Sequence, residues 1–183
     1  MTNKFHNTLN KLKMGKGFST NDNPTHRGQT NTWYTPRHIT DALGTFSVDP
    51  CTNSNAPFFH ALSNAKHDLG DDGLSWDWVD RVWLNPPYGS EIVKWLDKLY
   101  DHGNGIALVF ARTETVWAQK HMSICDGFNL LKGRISFISS NGIKSSNASN
   151  GSMLLAYGKN NLECLYSLRG NVFINGDSHN GCK

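Results

Sequence analysis

Cysteine is scarce in this chain, and its positions argue against two kinds of site. The 183 residues contain four cysteines, Cys51, Cys125, Cys164 and Cys182, with no CxxC pair among them. Closely spaced cysteines are the usual sequence signature of structural zinc sites and of disulfide frameworks. The eight histidines show no metal-ligand spacing either. We therefore expect free thiols and no bound metal.

Long apolar runs are also missing. No stretch approaches the roughly 20 apolar residues that a membrane span needs, and the polar N-terminus lacks the apolar segment of a secretory signal peptide. These absences predict a cytoplasmic protein that does not enter a membrane. A chain of 183 residues with 38% hydrophobic content is long enough for one well-buried core. We expect one main domain at residues 30–175.

Charge of either sign is sparse in the body of the chain, and the basic excess lies at its N-terminus. Residues 1–29 carry five basic side chains and one acidic side chain, whereas residues 30–183 carry 13 basic and 14 acidic. The segment is rich in Asn, Thr and Gly, which predicts a flexible arm. Such an arm either contacts the phosphate backbone of a nucleic acid or is a solvated leader without a partner. Residues 176–183 are predicted to be a flexible C-terminal tail.

Short apolar runs alternate with amphipathic segments along the body. Strands are predicted at residues 44–50, 81–85 and 105–111. Between the last two, apolar residues recur at helical spacing, which predicts a helix capped by Ser90 and ended by Gly103. Strand, helix and strand in this order form a βαβ unit with a parallel sheet. Further strands, predicted at residues 128–131, 134–139 and 152–157, follow closely on one another, so we expect an α/β fold with a mostly parallel sheet and antiparallel strands near the C-terminus.

Polar clusters follow the three predicted parallel strands, at residues 49–53, 85–88 and 111–115. In open sheets of this kind, ligands bind beyond the carboxyl ends of the strands. The three clusters therefore predict one shared site. The polar segment 140–152 is either a plain hairpin connection or a loop that contacts substrate.

The second cluster, Asn85-Pro86-Pro87-Tyr88, has a specific chemical interpretation. An exocyclic aromatic amine is a poor nucleophile because its lone pair is delocalised into the ring, so an enzyme that alkylates it must aim acceptors at the nitrogen. The Asn85 side-chain oxygen and the Pro86 carbonyl can both accept from one amine, in directions fixed by the rigid Pro86-Pro87 segment. Tyr88 can stack on the base, which is worth roughly 1–3 kcal/mol. The alternative is a proline-rich turn without chemistry.

Six segments, in this order, carry a family resemblance. They are Trp33-Tyr34-Thr35-Pro36; Val48-Asp49-Pro50 followed by Asn55-Ala56; Asp72-Gly73-Leu74 followed by Trp76 and Trp78; Asn85-Pro86-Pro87-Tyr88; residues 111–115 with Trp117; and Gly133-Arg134-Ile135 with Phe137. Over about residues 33–157 the chain resembles the phage-type DNA adenine-N6 methyltransferases, which are related to the Dam enzymes. The resemblance implies a Rossmann-like domain that uses S-adenosylmethionine to methylate adenine in double-stranded DNA, in the host cytoplasm if a phage encodes it. Restriction-modification and regulation are both compatible roles.

The resemblance also implies roles for individual residues. Trp33, Thr35 and Pro36 would help to hold the methionine part of the cofactor, with Thr35 capping a helix whose first residue is Pro36. Asp49, followed by Pro50, would meet the cofactor's ammonium or its ribose hydroxyls.

Further roles are implied for the later segments. Asp72 would accept a hydrogen bond from the adenosine amine, and Asn85 would contact both cofactor and target amine. Asn53 and Asn55 occupy the two glycine positions of the family's Asp-Pro-x-x-Gly-x-Gly motif. Because Asn tolerates left-handed backbone angles, the turn can survive, and the resemblance implies that Asn55 contacts the cofactor.

The last two segments contain Arg112 and Arg134, which would reach DNA phosphates or a base edge, or are ordinary surface arginines. Two other functions stay open. The first is methylation of a glutamine side chain in a protein, against which the missing glycine-rich loop and the Trp-x-Thr-Pro segment both argue. The second is a DNA-binding module that has lost turnover, against which the intact Asn85–Tyr88 segment argues.

Overall fold

Seven strands form a single mixed sheet in the described part of the chain. The computed structural model describes residues 34–52, 54–65, 71–139, 141–144 and 148–176. The strands are β1 (Phe46–Asp49), β2 (Ala61–Asn64), β3 (Val82–Leu84), β4 (Gly105–Phe110), β5 (Gly127–Leu131), β6 (Ser152–Tyr157) and β7 (Gly170–Ile174). The helices are α1 (Arg37–Leu43), α2 (Ile92–His102), α3 (Val116–Ile124) and α4 (Lys159–Cys164), the last followed by a 3₁₀ turn at Leu165–Ser167. Trp33, Asn53, the basic arm and the chain from residue 177 lie outside the described residues, so the domain boundaries stay predictions.

The strand order β2-β1-β3-β4-β6-β5-β7 divides the sheet into two halves. The pairings from β2 through β4 are parallel. Those that join β4, β6, β5 and β7 are antiparallel. The predicted α/β class and the antiparallel strands near the C-terminus are therefore confirmed, although parallel and antiparallel pairings are equal in number among the described strands.

The predicted βαβ unit is β3–α2–β4. Its two strands pair side by side in parallel, and α2 buries Ile92, Trp95, Leu96 and Leu99 against the sheet. The helix ends where Gly103 adopts a left-handed conformation with φ of 74° and donates its backbone N–H to the Leu99 carbonyl. Glycine accepts this conformation without strain, so the predicted helix end is confirmed.

Both predicted helix caps are wrong. The residue that flanks α2 is Glu91 and the one that flanks α1 is Pro36, and neither helix has a side-chain cap. Pro36 is extended, with ψ of 137°, which leaves Thr35 one residue outside the first turn. A capping side chain must sit at the flanking position to reach the N–H groups of the first turn.

The core occupies both faces of the sheet because the central strands alternate their side chains between the two faces. Val82 and Leu84 pack on the face covered by α2, whereas Trp83 packs on the opposite face. That opposite face is covered by α1 and by the segment that contains Ile135 and Phe137. We call it the α1 face. Every residue of β3 and β6 is buried, which matches strands covered on both sides.

The predicted strand at residues 134–139 is wrong. Within it, only Ile138 forms backbone bridges, to Tyr34 and to Lys144. Its apolar alternation arises because Ile135 and Phe137 pack into the core. β2 and β7 were not predicted. β2 has no apolar run, and the short apolar run of β7, Val172-Phe173-Ile174, is exposed or only partly buried. No helix in the described ranges combines the length and apolar character that a bilayer crossing requires.

Candidate active site

The carboxyl ends of three adjacent parallel strands bring the predicted polar clusters together. β1, β3 and β4 are neighbours in the sheet and run in the same direction. Asp49 ends β1, Asn85 follows β3 and Ala111 follows β4. The structure therefore places the described residues of the three clusters together at the carboxyl ends of these strands, as the βαβ interpretation predicts.

Asp49 is a buried carboxyl group at this edge, with only 4% of its surface exposed. Its Oδ1 accepts a hydrogen bond from the Cys51 backbone N–H at 3.0 Å. Desolvation raises the pKa of Asp49 from 3.8 to about 7, and backbone hydrogen bonds from Cys51 and Thr52 offset part of that rise. A nearby cation would restore the charged form, so Asp49 suits a ligand that carries positive charge.

Asn64 lies beside Asp49, because the two residues are paired in the parallel ladder between β1 and β2. The Asn64 Nδ2 group donates to the Ala61 carbonyl at 2.8 Å. Its buried Oδ1 has no hydrogen-bond partner among the described residues. Asn64 was not among the predicted site residues, since β2 itself was not predicted.

The Asp72-Gly73-Leu74 segment packs directly against the end of β1. A Cβ atom at Gly73 would lie 2.1 Å from the Pro50 carbonyl oxygen, so only glycine fits here without displacement. The Gly73 carbonyl in turn accepts the Trp78 indole N–H at 2.7 Å. Asp72 is exposed, and its Oδ1 accepts from the Leu74 backbone N–H at 2.9 Å. The structure thus brings Asp72 and Pro50, two predicted cofactor residues, to one place.

The remaining predicted cofactor residues are distributed unevenly. Asn55 is exposed in the turn that follows β1, and Pro36 is buried at the start of α1. Thr35 is buried, and its Oγ1 has no hydrogen-bond partner in the described ranges. Trp33 lies outside those ranges.

Asn85 presents an unused acceptor at the centre of the edge. Its Oδ1 is buried and has no hydrogen-bond partner within the described part of the chain. The adjacent Pro86 is buried and Pro87 is exposed. A buried amide oxygen without a donor costs free energy, and that cost is recovered when a ligand N–H binds.

Tyr88 stacks on Phe110, the last residue of β4. The ring centroids are 4.0 Å apart and the ring planes differ by 12°. Tyr88 nevertheless keeps 44% of its surface exposed. Phe110 therefore supports one face of the tyrosine ring and was missed as a site residue. Its position at the end of a predicted strand was the signal that could have identified it.

The two predicted DNA-contacting arginines are both exposed. Arg112 follows β4 and forms an ion pair with Glu114, with 3.4 Å between Nε and Oε1. In the same cluster, the Thr115 side chain caps α3 by accepting from the Ala118 backbone N–H at 3.4 Å. The cluster thus has a structural function in addition to any contact made by Arg112.

The thiols of Cys51, Cys125 and Cys164 are free, and Cys182 lies outside the described residues. No group of three or more His, Cys, Asp or Glu side chains within the described ranges is placed to hold a metal ion.

Comparison with known families gives one match that covers most of the chain. The family model described as DNA N-6-adenine-methyltransferase (Dam) matches residues 22–171. No curated protein and no solved structure matches the chain.

Replacing Gly73 with alanine should destabilise the fold, because the new methyl group must displace the Pro50 carbonyl. We expect Gly73→Ala to lower the free energy of unfolding by about 1–3 kcal/mol, the usual cost of overpacking. The matched control is Gly151→Ala, whose Cβ would meet only Ala111 at an ordinary 3.8 Å. Urea unfolding of both variants measures the difference, and equal stability would contradict the close approach.

Replacing Asp49 with asparagine should stabilise the protein in a pH-dependent way. The pKa of Asp49 in the folded protein, about 7, lies above its ordinary value of 3.8. The protonated Asp49 carboxyl is compatible with burial, so below pH 4 its contribution to stability is complete. As the pH rises through 7, Asp49 must ionise in the folded state and that contribution is lost. Asparagine keeps an acceptor for the Cys51 N–H and does not titrate. We compare the Tm of Asp49→Asn with that of wild type at each pH. The gain in Tm from the substitution should be at least about 2 °C larger at pH 8 than at pH 5.

Thermal unfolding at the two pH values provides this measurement. Asp77→Asn, at an exposed position outside the site, controls for the removal of one negative charge. A Tm difference for Asp49→Asn that is the same at pH 5 and pH 8 would show that burial does not perturb Asp49.

Proposed function

The chain belongs to the DNA N-6-adenine-methyltransferase (Dam) family, and on that basis we propose that it transfers the methyl group of S-adenosylmethionine to the exocyclic amine of adenine in double-stranded DNA. We further propose a Rossmann-like methyltransferase domain that acts at specific sites in DNA. The strand order and the site at the carboxyl ends of β1, β3 and β4 support this fold assignment.

The unpartnered Asn85 oxygen is the observation that carries the proposal. An adenine amine has two N–H donors, and the Asn85 oxygen can accept from one of them. The Pro86 carbonyl can accept from the other. Two acceptors aimed at one nitrogen pull its N–H bonds out of the plane of the ring. The lone pair then leaves conjugation with the ring and is free to attack. After methyl transfer the nitrogen is cationic and acidic and releases its extra proton to solvent, so positioning supplies most of the catalysis.

Residues at the ends of β1 and β2 are proposed to hold the cofactor. Asp49 and Asn64 present acceptors side by side, and the Asn64 oxygen is unpartnered in the described ranges. Acceptors of this kind fit the ammonium and hydroxyl groups of S-adenosylmethionine, which when bound supplies an electrophilic sulfonium methyl. Thr35, Pro36, Pro50, Asn55 and Asp72 complete the proposed cofactor set, to which we add Trp33.

Tyr88 and Phe110 are proposed to form the platform for the target base. The adenine amine is not accessible in stacked duplex DNA, so the base must be extruded before methylation. Phe110 holds the Tyr88 ring from one side, and 44% of Tyr88 stays exposed. A base that stacks on the free side of Tyr88 adds to a platform that is already assembled, which lowers the cost of ordering the tyrosine side chain.

The DNA surface is proposed to include Arg112, Arg134 and segment 140–152. The basic arm at residues 1–29 would add contacts to DNA phosphates, which position a protein without reading sequence. We expect the protein to act in the cytoplasm of the cell that contains its DNA substrate.

The two alternative functions are less well supported. Family membership favours DNA over a protein glutamine as the methyl acceptor. A DNA-binding module without turnover has no use for an unsatisfied acceptor at Asn85, because the free-energy cost of that atom is recovered only when an N–H group binds.

Substitution of Asn85 tests the proposal. We expect wild-type protein to produce N6-methyladenine in DNA, and Asn85→Ala to abolish it while S-adenosylmethionine affinity falls much less. The control is Asn160→Ala, which removes an exposed amide from α4. Mass spectrometry of digested DNA and calorimetric titration of the cofactor provide the two measurements. Methylation by Asn85→Ala at the wild-type rate would refute the assigned role.

Substitution of Tyr88 tests the platform. We expect Tyr88→Ala to weaken transition-state binding by about 1–3 kcal/mol, the value of a base stacked on an aromatic ring. Tyr88→Phe keeps the ring and should retain most activity. The ratio kcat/KM for methylation measures both effects, and equal losses in the two variants would show that the hydroxyl, rather than the ring, is required.

A further inference from the structure

Ser152 carries a buried hydroxyl group that the fold itself does not use. It is the first residue of β6 and is only 1% exposed, yet its Oγ has no hydrogen-bond partner among the described residues. The rest of β6 is also buried and continues with Met153, Leu154, Leu155 and Ala156. An apolar residue at position 152 would avoid the cost of burying an unpaired hydroxyl. A partner from outside the described chain would account for its presence.

The register of the sheet places this hydroxyl beside the Tyr88–Phe110 stack. Ser152 pairs directly with Phe110 in the antiparallel ladder between β6 and β4. Side chains of directly opposed residues point to the same face of a sheet, with Cβ atoms about 4.5–5.5 Å apart. Phe110 packs on the α1 face and carries the Tyr88 ring. The Ser152 hydroxyl therefore lies next to the platform, on the same face.

A second unpartnered atom flanks the platform from the other side. β3 and β6 are the two neighbours of β4. Asn85 directly follows β3, and its buried Oδ1 also has no partner in the described ranges. Strands that flank a common neighbour are about 9.6 Å apart, twice the ordinary strand spacing. Leu84 pairs with Ala107, so Asn85 follows at the level of Leu108, two residues or about 6.6 Å before Phe110 along β4. The two unpartnered atoms therefore lie on opposite sides of β4, with Ser152 level with Phe110 and Asn85 closer to the centre of the sheet.

From this arrangement we propose that Ser152 donates a hydrogen bond to a ring nitrogen of the extruded adenine and so orients the base. This inference rests on the proposed function. The two side chains contact different groups of the base. Asn85 accepts a hydrogen bond from the amine, and Ser152 donates one to a ring nitrogen that carries no hydrogen. The ring nitrogens of adenine at positions 1, 3 and 7 are all acceptors.

Deaza analogues of the target base test this bond directly. 1-Deazaadenine, 3-deazaadenine and 7-deazaadenine each replace one ring nitrogen with C–H. Wild type and Ser152→Ala are assayed for kcat/KM on duplexes that carry adenine or one analogue at the methylated position. We expect Ser152→Ala to lose about 5- to 30-fold on adenine, as befits one hydrogen bond. On one analogue this loss should disappear, because its missing nitrogen has already removed the bond.

Stability measurements separate this role from a structural one. Removing a buried hydroxyl that has no partner among the described residues should leave the Tm of Ser152→Ala equal to or above that of wild type. Cofactor affinity should also be unchanged. The control, Ser123→Ala, removes an exposed hydroxyl from α3 that donates to the Lys120 carbonyl, and it should leave methylation unchanged.

Two outcomes would overturn the inference while leaving the proposed function intact. In the first, Ser152→Ala methylates adenine as well as wild type does. In the second, it loses the same factor on adenine and on all three analogues, which would indicate a general distortion of the site. If wild type fails to methylate adenine in any duplex, the proposed function fails and the role of Ser152 fails with it.

Discussion

The site depends on the parallel alignment of β1, β3 and β4. A parallel pair requires a crossover connection, and the amphipathic helix α2 supplies it between β3 and β4. Because the strands run in the same direction, the residues that follow them all lie at the same end of the sheet, the carboxyl end of these strands. Asp49 and Asn85 are 36 positions apart in the sequence, yet the order of the strands brings them to neighbouring places.

The antiparallel half of the sheet also contributes residues to this end of the sheet. β6 enters next to β4 in the opposite direction, so that its first residue, rather than its last, lies at the carboxyl end of β4. This is why Ser152 and Phe110 face each other, although they are far apart in the chain. The aromatic stack of Tyr88 on Phe110 then joins the segment that follows β3 to the end of β4.

Four residues of the proposed site carry buried polar atoms without a hydrogen-bond partner in the described ranges, and five more such atoms lie elsewhere in those ranges. Asn85, Asn64, Thr35 and Ser152 each have a buried oxygen without a partner in the described ranges. Burial raises the pKa of Asp49 to about 7. Each of these groups costs folding free energy that an apolar residue would save. Residues kept at such a cost concentrate at functional sites, where a ligand supplies the missing donor or charge.

Local sequence was enough to predict five of the seven described strands and the end of α2, and it suggested a chemical role for the Asn85–Tyr88 segment. The apolar runs that became β1, β3, β4, β5 and β6 were identified because their side chains are buried, and Gly103 marked a helix end because few other residues accept its backbone angles. The chemical interpretation of Asn85 also needed no fold, since it follows from the donors and acceptors of one tetrapeptide.

Only the tertiary structure decided which residues surround that tetrapeptide. β2 has no apolar run of its own and pairs because β1 offers a free edge, so Asn64 gave no local signal. Segment 134–139 alternates like a strand but packs its apolar side chains without extending the sheet. The requirement for glycine at position 73 arises from the Pro50 carbonyl. The role proposed for Ser152 rests on its register with Phe110. These features are contacts between distant parts of the chain, and hydrophobic periodicity reports which residues are buried but not which residues they face.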